Sequence, residues 1–303
     1  MSARELVVAS GKGGTGKTSV AAAFARLAAD KVLADCDVDA ADLHLVLSPM
    51  PGQRHEFSSR RRASIDATAC TLCGECAAHC RFGAIDMDPP RVDPFACEGC
   101  GLCARLCPAA AVRFEPVVSG EWSIAETPWG PLVHARLGAA EDNSGKLVSL
   151  VRAEARRVAT ERGLDTVLID GAPGIGCPVI ASLTGASLAL VVTEPTISGR
   201  HDLGRVVELA HHFGLRFAVC VNKRDLNEQL AAEIEDEALS VGALFVAAVR
   251  YERAVTEAMV AGGSVVDTRR DGAAADLAAL WERTSAALGD HVGHIKDEAE
   301  ASD

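Results

Sequence analysis

The chain has 303 residues, a formal net charge of −12 and eleven cysteines. This length suits two domains, or one core of ordinary size with an insertion. The negative charge argues against nucleic acid or an anionic membrane as a partner, and no apolar run approaches the roughly 20 residues that span a bilayer. The N-terminus enters a strand with no signal peptide. We therefore expect a cytoplasmic protein without a membrane anchor, whose cysteines are metal ligands or free thiols.

A glycine-rich segment follows the first predicted strand. Residues 5–9 form a short apolar run, and the Ala-rich residues 19–29 predict a helix. The segment between them fits G-x-x-x-x-G-K-[ST], which directs backbone N–H groups and a helix N-terminus at a phosphate. Lys17 then pairs with the β- and γ-phosphates, and the Thr18 hydroxyl binds Mg²⁺. The predicted nucleotide-binding residues of this loop are Gly11, Lys12, Gly13, Gly14, Thr15, Gly16, Lys17 and Thr18.

A second lysine, Lys12, comes directly after the first glycine. The segment K-G-G-x-G-K-[ST] resembles the deviant Walker A box of the MinD/Mrp/ParA family, which includes the nitrogenase iron protein. In that family the additional lysine reaches the partner's nucleotide across a dimer interface. The resemblance implies an ATPase that uses Mg-ATP in a nucleotide-sandwich dimer, either a homodimer or a heterodimer with a paralogue. It also implies catalytic roles for Lys12 and Lys17.

An acidic loop follows the second predicted strand, residues 31–35. Open α/β sheets bind ligands at the carboxyl ends of their strands, so a loop with Asp35, Asp37 and Asp39 is well placed for Mg²⁺. By resemblance this loop is the first switch region of the family. Asp37 then contributes to the Mg²⁺ shell, and either Asp35 or Asp37 positions the attacking water. A solvated acidic turn is the alternative.

The hydrophobic pattern breaks up between His44 and Ser64, where prolines and a glycine occur together with the basic run Arg60–Arg62. This composition predicts a linker. The arginines are expected to be solvated, with docking of an acidic partner as the alternative.

Two cysteine runs with the same spacing follow, at a constant offset of 27 residues. The pattern C-x₂-C-x₂-C-x₃-C is typical of bacterial two-cluster ferredoxins, in which the fourth cysteine of each run binds the other cluster. Zinc is the alternative, since thiolates suit it too, but zinc sites usually combine two C-x-x-C arms. The predicted ligands are Cys70, Cys73, Cys76 and Cys107 for one [4Fe–4S] cluster, and Cys97, Cys100, Cys103 and Cys80 for the other.

The two runs differ at one notable position. Pro108 follows the fourth cysteine of the second run, whereas Arg81 stands at the corresponding position of the first. This difference leaves ligation intact but changes the surroundings of one cluster.

The remaining elements alternate as expected for a parallel sheet covered by helices. A helix begins at the N-cap segment Asn143–Gly145 and runs to about residue 162. The strand at 164–169 ends at Asp170, which resembles the second switch of the family and implies a place for Asp170 in the Mg²⁺ water shell. Further strands are predicted at 186–193, 216–221 and 243–249, further helices at 198–213 and 272–288, and a disordered tail at 289–303.

Asn222 ends one of these strands and resembles the family's base-reading asparagine. The tetrapeptide Asn222–Asp225 would equally suit guanine recognition. The preference for ATP over GTP therefore rests on the resemblance of the phosphate-binding loop.

Three cysteines lie outside the two runs. Cys36 and Cys220 lie in or beside buried strands, where free cysteine is ordinary core material. Cys177 corresponds in position to a cysteine that binds a cluster shared across the dimer of the nitrogenase iron protein. That protein contributes two cysteines per subunit, and this chain has no second candidate, so we expect that Cys177 is not a ligand.

The predicted fold is α/β: a doubly wound, mostly parallel sheet of the P-loop NTPase type, similar to MinD and the nitrogenase iron protein. A small α+β ferredoxin-like domain is inserted into it. The predicted boundaries are 1–63 and 116–303 for the P-loop domain and 64–115 for the insertion.

Three functions fit this organisation. The first is an ATPase that couples its nucleotide state to electron transfer through two [4Fe–4S] clusters, with a redox partner that the sequence does not name. The second is an iron–sulfur carrier of the Mrp type, disfavoured because no cysteine follows Cys220. The third is a MinD-like positioning protein, disfavoured because the C-terminal segment is acidic rather than a basic amphipathic helix.

Overall fold

The computed structural model describes residues 3–138 and 144–289. These residues form two compact units. Unit 1 contains residues 3–55, 122–137 and 144–289, and unit 2 contains residues 56–121 and Gly138. The predicted insertion, 64–115, lies within unit 2. The N-cap residue Asn143 and nearly all of the predicted tail lie outside the described residues, although Gly289 still belongs to the last helix.

The strands of both units are numbered in chain order. They are β1 Arg4–Ser10, β2 Lys31–Asp35, β3 Gln53–Ile65, β4 Ile85–Met87, β5 Pro90–Val92, β6 Val112–Thr127, β7 Gly130–Leu137, β8 Thr166–Pro173, β9 Leu188–Thr193, β10 Phe217–Asn222 and β11 Val246–Val249.

The helices are numbered in the same way, and a 3₁₀ turn lies at Arg224–Leu226. They are α1 Lys17–Leu27, α2 Leu43–Leu47, α3 Glu75–Ala78, α4 Leu102–Leu106, α5 Ser144–Arg162, α6 Cys177–Leu183, α7 Ile197–His212, α8 Glu228–Ser240, α9 Arg253–Val260, α10 Val265–Thr268 and α11 Gly272–Gly289.

The main sheet has the strand order β11-β10-β9-β1-β8-β2-β7-β6-β3. Every pair from β11 to β7 is parallel. β1, β2, β9 and β10 are buried along almost their whole length, which is why they occur as continuous apolar runs rather than alternating patterns. The doubly wound parallel sheet predicted from the sequence is confirmed.

The segment expected to be a linker is instead ordered secondary structure. Residues 53–65 form β3, and residues 43–47 form α2. In unit 1, Gly52 lies so close to β6 that a Cβ atom on it would be 2.1 Å from the carbonyl oxygen of Ile124. The His55 and Trp122 rings stack with centroids 4.2 Å apart. The linker prediction was wrong because β3 is largely polar, so its pairing with β6 leaves no hydrophobic alternation to detect.

Unit 2 has little secondary structure of its own beyond parts of β3 and β6. The hairpin β4–β5 is antiparallel, and α3 and α4 each begin within a cysteine run. Its small buried cluster contains Ala63, Ala84 and Cys97. A core this small favours additional covalent or metal cross-links.

Candidate functional site

The parallel pairing of unit 1 brings three predicted segments to one edge of its sheet. β8 pairs with β1 on one side and with β2 on the other. Asp170 therefore lies opposite Val8 in one neighbour and opposite Asp35 in the other. Since these strands all point the same way, the glycine-rich loop, the acidic loop and Asp170 meet at their carboxyl ends.

The glycines of the phosphate-binding loop meet a steric requirement. Gly16 has a φ of 95° and caps the N-terminus of α1. A Cβ atom on Gly16 would lie 2.2 Å from Nδ2 of Asn222. Both the positive φ and the close approach exclude a larger side chain. The Thr15 hydroxyl in the same loop is buried and has no hydrogen-bond partner among the described residues.

Lys17 is held among the carboxylates predicted to bind Mg²⁺. Its Nζ lies 2.7 Å from Oδ1 of Asp170 and 3.4 Å from Oδ2 of Asp37. Burial by itself lowers the pKa of Lys17, but Asp170 and Asp37 outweigh it, and the net shift is upward. The second oxygen of Asp170, Oδ2, is buried without a partner in the described structure. An unsatisfied carboxylate oxygen of this kind suits a hard cation such as Mg²⁺.

Asp35 and Asp37 occupy different environments. Asp35 is fully buried, and its two oxygens accept backbone N–H groups from Asp37 and Leu43, each at 3.1 Å. Burial, reinforced by Asp170, raises the pKa of Asp35 well above its usual value. The side chain of Asp37 is 14% exposed and contacts Lys17. Asp35 therefore shapes the acidic loop, and Asp37 is the residue of the pair that faces the lysine.

Lys12 is bound within its own chain to the segment that follows β9. Its Nζ lies 2.8 Å from Oε1 of Glu194 and donates to the Ser198 hydroxyl at 2.9 Å. The other oxygen of Glu194, Oε2, accepts from Nζ of Lys223 at 3.0 Å. Although burial acts to raise the pKa of Glu194, its contacts with the two lysines lower it. Sequence reasoning missed Glu194, and the available signal was a carboxylate at the carboxyl end of a strand beside β1.

Asn222 is tied to the phosphate-binding loop. Its Nδ2 donates to the carbonyl oxygen of Thr15 at 2.7 Å, and its Oδ1 accepts from the N–H of Lys223 at 3.0 Å. Asp225, the residue that would read guanine in such a tetrapeptide, accepts a hydrogen bond from the N–H of Tyr251 at 2.6 Å. Base reading by Asn222 stays a prediction.

In unit 2, one cavity has Cys80 in its wall together with the first three cysteines of the other run, Cys97, Cys100 and Cys103, and we call it the four-cysteine cavity. Burial and the neighbouring Cys97 and Cys100 raise the pKa of the Cys103 thiol despite an opposing backbone hydrogen bond. The wall also contains Phe82, Glu98, Gly99 and Phe114.

Three of the remaining cysteines of the two runs, Cys70, Cys76 and Cys107, lie near one another. Burial raises the pKa of Cys76, and nearby Cys107 and Cys70 add to this effect. The Sγ of Cys107 accepts the N–H of Ala111 at 3.3 Å. Cys73 is exposed. Cys80 thus lies beside three cysteines of the second run, and Cys107 lies near two cysteines of the first run. The crossed ligand assignment stays a prediction.

These cysteines do not converge on a single point. Among the described residues, no group of three or more Cys, His, Asp or Glu side chains could hold one metal ion. A single zinc ion requires such convergence, with thiolates about 2.3 Å from the metal. Thiolates around a four-iron cube bind four different iron atoms, so they lie farther apart.

The other three cysteines differ in exposure. Cys36 and Cys220 are fully buried, and burial raises the pKa of both thiols, that of Cys220 to about 12. Both are core residues, as expected. Cys177 is exposed at the first position of α6.

The fold and the glycine-rich loop define a P-loop nucleotide-binding protein, and the sequence relationships agree. Residues 6–265 match the model of the CobQ/CobB/MinD/ParA nucleotide-binding domain, and the chain belongs to this family. It is 35% identical over 230 residues to the uncharacterized protein MJ0578 of Methanocaldococcus jannaschii, which covers 74% of this chain and 79% of that protein.

Two solved structures share the fold. The cell division ATPase MinD of Pyrococcus furiosus superposes with a TM-score of 0.55 at 20% identity, over 93% of this chain and 98% of that one. The septum site-determining protein MinD of Pyrococcus horikoshii, solved with Mg-ADP, superposes with a TM-score of 0.57 at 18% identity, over 98% of this chain and 99% of that one. Within the described residues, no helix is long and apolar enough to cross a membrane.

The contact between Asp170 and Lys17 yields a prediction about Mg²⁺. In Asp170→Asn, the metal loses a carboxylate. We expect the affinity for Mg-ADP to fall about 10- to 100-fold, the equivalent of about 1.5–3 kcal/mol for a charge-assisted hydrogen bond. Titration of a fluorescent ADP analogue, with Mg²⁺ and with EDTA, measures this.

The matched control is Asp267→Asn. Asp267 pairs with Arg26 in the last turn of α1, whereas Lys17 begins that helix. The control should bind Mg-ADP as the wild type does. Unchanged Mg-ADP affinity in Asp170→Asn would remove Asp170 from the metal site.

Proposed function

We propose that this protein is a Mg²⁺-dependent ATPase that acts as a nucleotide-sandwich dimer and couples its nucleotide state to electron transfer through two [4Fe–4S] clusters. The observation that carries the proposal is the coexistence of two sites in one chain. Unit 1 has a phosphate-binding loop beside three carboxylates. In unit 2, Cys80 lies beside Cys97, Cys100 and Cys103, and Cys107 lies near Cys76 and Cys70, which supports two clusters with crossed ligands.

ATP binding and hydrolysis are assigned to residues of unit 1. Lys17 binds the phosphates, and Thr18, Asp37 and Asp170 hold Mg²⁺ directly or through water. Mg²⁺, when bound, neutralises charge on the phosphates. Asp37 orients the attacking water, because both oxygens of Asp35 are engaged by backbone N–H groups. The proposal of a Mg-nucleotide is supported by the Pyrococcus horikoshii MinD structure with Mg-ADP.

Lys12 is proposed to act on the partner's nucleotide. Its present contacts with Glu194, Thr196 and Ser198 hold it within its own chain. Dimer formation must therefore exchange these contacts for the partner's phosphates. Glu194 is the counter-ion that sets the cost of this exchange, and it also binds Lys223, which donates to the carbonyl oxygen of Gly14.

The two clusters are assigned to the two cysteine groups of unit 2. Cys70, Cys73, Cys76 and Cys107 would hold one, and Cys80, Cys97, Cys100 and Cys103 the other. Such clusters supply one-electron storage at potentials set by their surroundings. The few buried apolar residues of unit 2 support this assignment, because a small core gains stability from metal cross-links.

A MinD-like role in which the nucleotide state controls partner binding is the second candidate. It is favoured by family membership and by the shared fold with two MinD structures. It requires no electron transfer and leaves the eight cysteines of unit 2 with a structural role. An Mrp-type carrier is a third candidate without a specific observation in its favour.

The two lysines of the loop should have separable roles. Lys17→Ala should lose nucleotide binding and hydrolysis together, because Lys17 contacts its own nucleotide. Lys12→Ala should retain ATP binding but lose hydrolysis and ATP-dependent dimerisation, because its charge acts across the interface. Nucleotide titration, phosphate release and light scattering of the purified variants measure the three properties.

Glu194→Gln is the companion variant. It frees Lys12 without removing it, so we expect ATP-dependent dimers at lower protein concentration than in the wild type. Normal ATP hydrolysis by Lys12→Ala would contradict the sandwich-dimer assignment.

Metal content tests the cluster assignment. Protein prepared without oxygen should contain about eight irons and eight sulfides per chain, as expected for two four-iron clusters. Cys80→Ser should damage the cluster built on Cys97, Cys100 and Cys103, although Cys80 is nearer in sequence to the other run. Iron and sulfide analysis with electron paramagnetic resonance (EPR) measures both.

Cys177→Ser serves as the control, since Cys177 lies outside the two runs and should keep the full iron content. Zinc in place of iron in the anaerobic protein would exclude the clusters.

A further inference from the structure

Two arginines lie over the two phenylalanines that line the four-cysteine cavity. The guanidinium carbon of Arg81 is 4.6 Å from the ring centroid of Phe82, and that of Arg61 is 4.9 Å from the ring centroid of Phe114. Both phenylalanines belong to the cavity wall. Distances below about 6 Å between a cation and a ring centroid are attractive, so the rings hold both charges beside the cavity.

Arg61 is held in this position by a side-chain hydrogen bond and by a close approach of its backbone. Its Nη2 donates to the carbonyl oxygen of Phe114 at 2.5 Å. Gly99, which lies between Cys97 and Cys100, has a φ of 65°, and a Cβ atom on it would be 2.2 Å from the carbonyl oxygen of Arg61. Only glycine allows this approach of β3 to the cysteine run.

The internal duplication provides a comparison within the same chain. At the offset of 27 residues, Arg81 and Phe82 correspond to Pro108 and Ala109. Phe114 corresponds to Met87, whose sulfur lies 3.9 Å from Sγ of Cys76. At these positions the other cysteine group therefore has neither a cation nor an aromatic ring.

Other charges nearby do not cancel this difference in positive charge between the two cysteine groups. Arg91 and Arg113 are each paired with a carboxylate at 3.0 Å. Within the described residues, Arg61 and Arg81 form no such ion pair. The cavity wall itself contains one carboxylate, Glu98, and one imidazole, His79, so the two guanidinium groups over its phenylalanine rings face a single carboxylate.

One hydrogen bond acts in the opposite direction. The N–H of Ala111 donates to Cys107, a member of the other group, and such bonds favour reduction of a cluster. An amide N–H carries only a partial charge, whereas each guanidinium carries a full one. The two guanidinium charges therefore decide which of the two clusters has the higher reduction potential.

We propose that Arg61 and Arg81 raise the reduction potential of the cluster on Cys80, Cys97, Cys100 and Cys103 above that of the other cluster. Reduction adds one negative charge to a cluster, and a nearby cation stabilises the reduced form. In singly reduced protein the electron then resides at the four-cysteine cavity. This inference rests on the proposed presence of two clusters. Both arginines are exposed, so salt should screen their effect.

The test is a redox titration of the full-length anaerobic protein, followed by EPR. The wild type should show two separate one-electron steps. The higher step should shift to lower potential in Arg61→Gln and in Arg81→Gln, and furthest in the double variant, while the lower step stays in place. Arg61→Lys should recover part of the shift. Cys100→Ser should change the spectrum of the higher step, and Cys73→Ser that of the lower one.

Arg91→Gln is the matched control, because Arg91 is exposed in unit 2 but paired with Asp86. This variant should change the potential of neither step. Raising the salt concentration should bring the potentials of the two steps closer together, and by a larger shift in the wild type than in the double variant. A purely structural role of the arginines would not produce this effect.

Two failures can be told apart on the same samples. If iron and sulfide are present but the arginine variants move neither step, or both equally, the inference is wrong and the clusters stand. If the protein contains no iron, the cluster assignment fails, and this inference fails with it.

Discussion

The ion pair between Lys17 and Asp170 is the contact on which the nucleotide site depends. Their side chains are only 6% and 1% exposed, and a charge left unpaired at such depth is costly. The parallel register of β1 and β8 brings them together, because it sets Asp170 opposite Val8 just before the glycine-rich loop. A one-residue slip of β8 would turn Asp170 to the other face of the sheet. The register of these two strands therefore determines whether Asp170 can reach Lys17 at the site.

The chain connects this site directly to the cysteine unit in sequence. Asp35 holds both ends of the acidic loop through the N–H groups of Asp37 and Leu43. The chain continues from that loop through α2 into β3, which extends into unit 2, and it returns through β6 to β7. β7 pairs with β2, with His134 opposite Asp35. Both arms of the insertion thus connect in sequence to elements beside the aspartate that shapes the acidic loop.

Local rules were sufficient for the sheet and the loop but not for the long-range contacts. Continuous apolar runs predicted the buried parallel strands, and the spacing of Gly11, Gly16 and Lys17 predicted the phosphate-binding loop. The polar strand β3 escaped prediction because it is specified by its partner β6. Glu194 escaped as well, since its importance comes from contacts with Lys12 and Lys223, which are remote in sequence. The contact of Arg61 with Phe114 is also remote in sequence, and composition alone predicts a linker with solvated arginines at this position.

The most direct test of the central claim is whether the nucleotide changes the cluster potentials. Coupling is reciprocal, so a potential shifted by ATP requires an ATP affinity that depends on the oxidation state of the clusters. A shift of about 30 mV in a one-electron couple corresponds to about 0.7 kcal/mol, well within ordinary allosteric coupling. The measurement is an EPR redox titration with ADP, with a non-hydrolysable ATP analogue, and without nucleotide. A different potential with the ATP analogue than with ADP is the predicted result. Identical potentials in all three states, with equal rates of electron transfer to a test acceptor, would contradict an ATP-gated electron carrier.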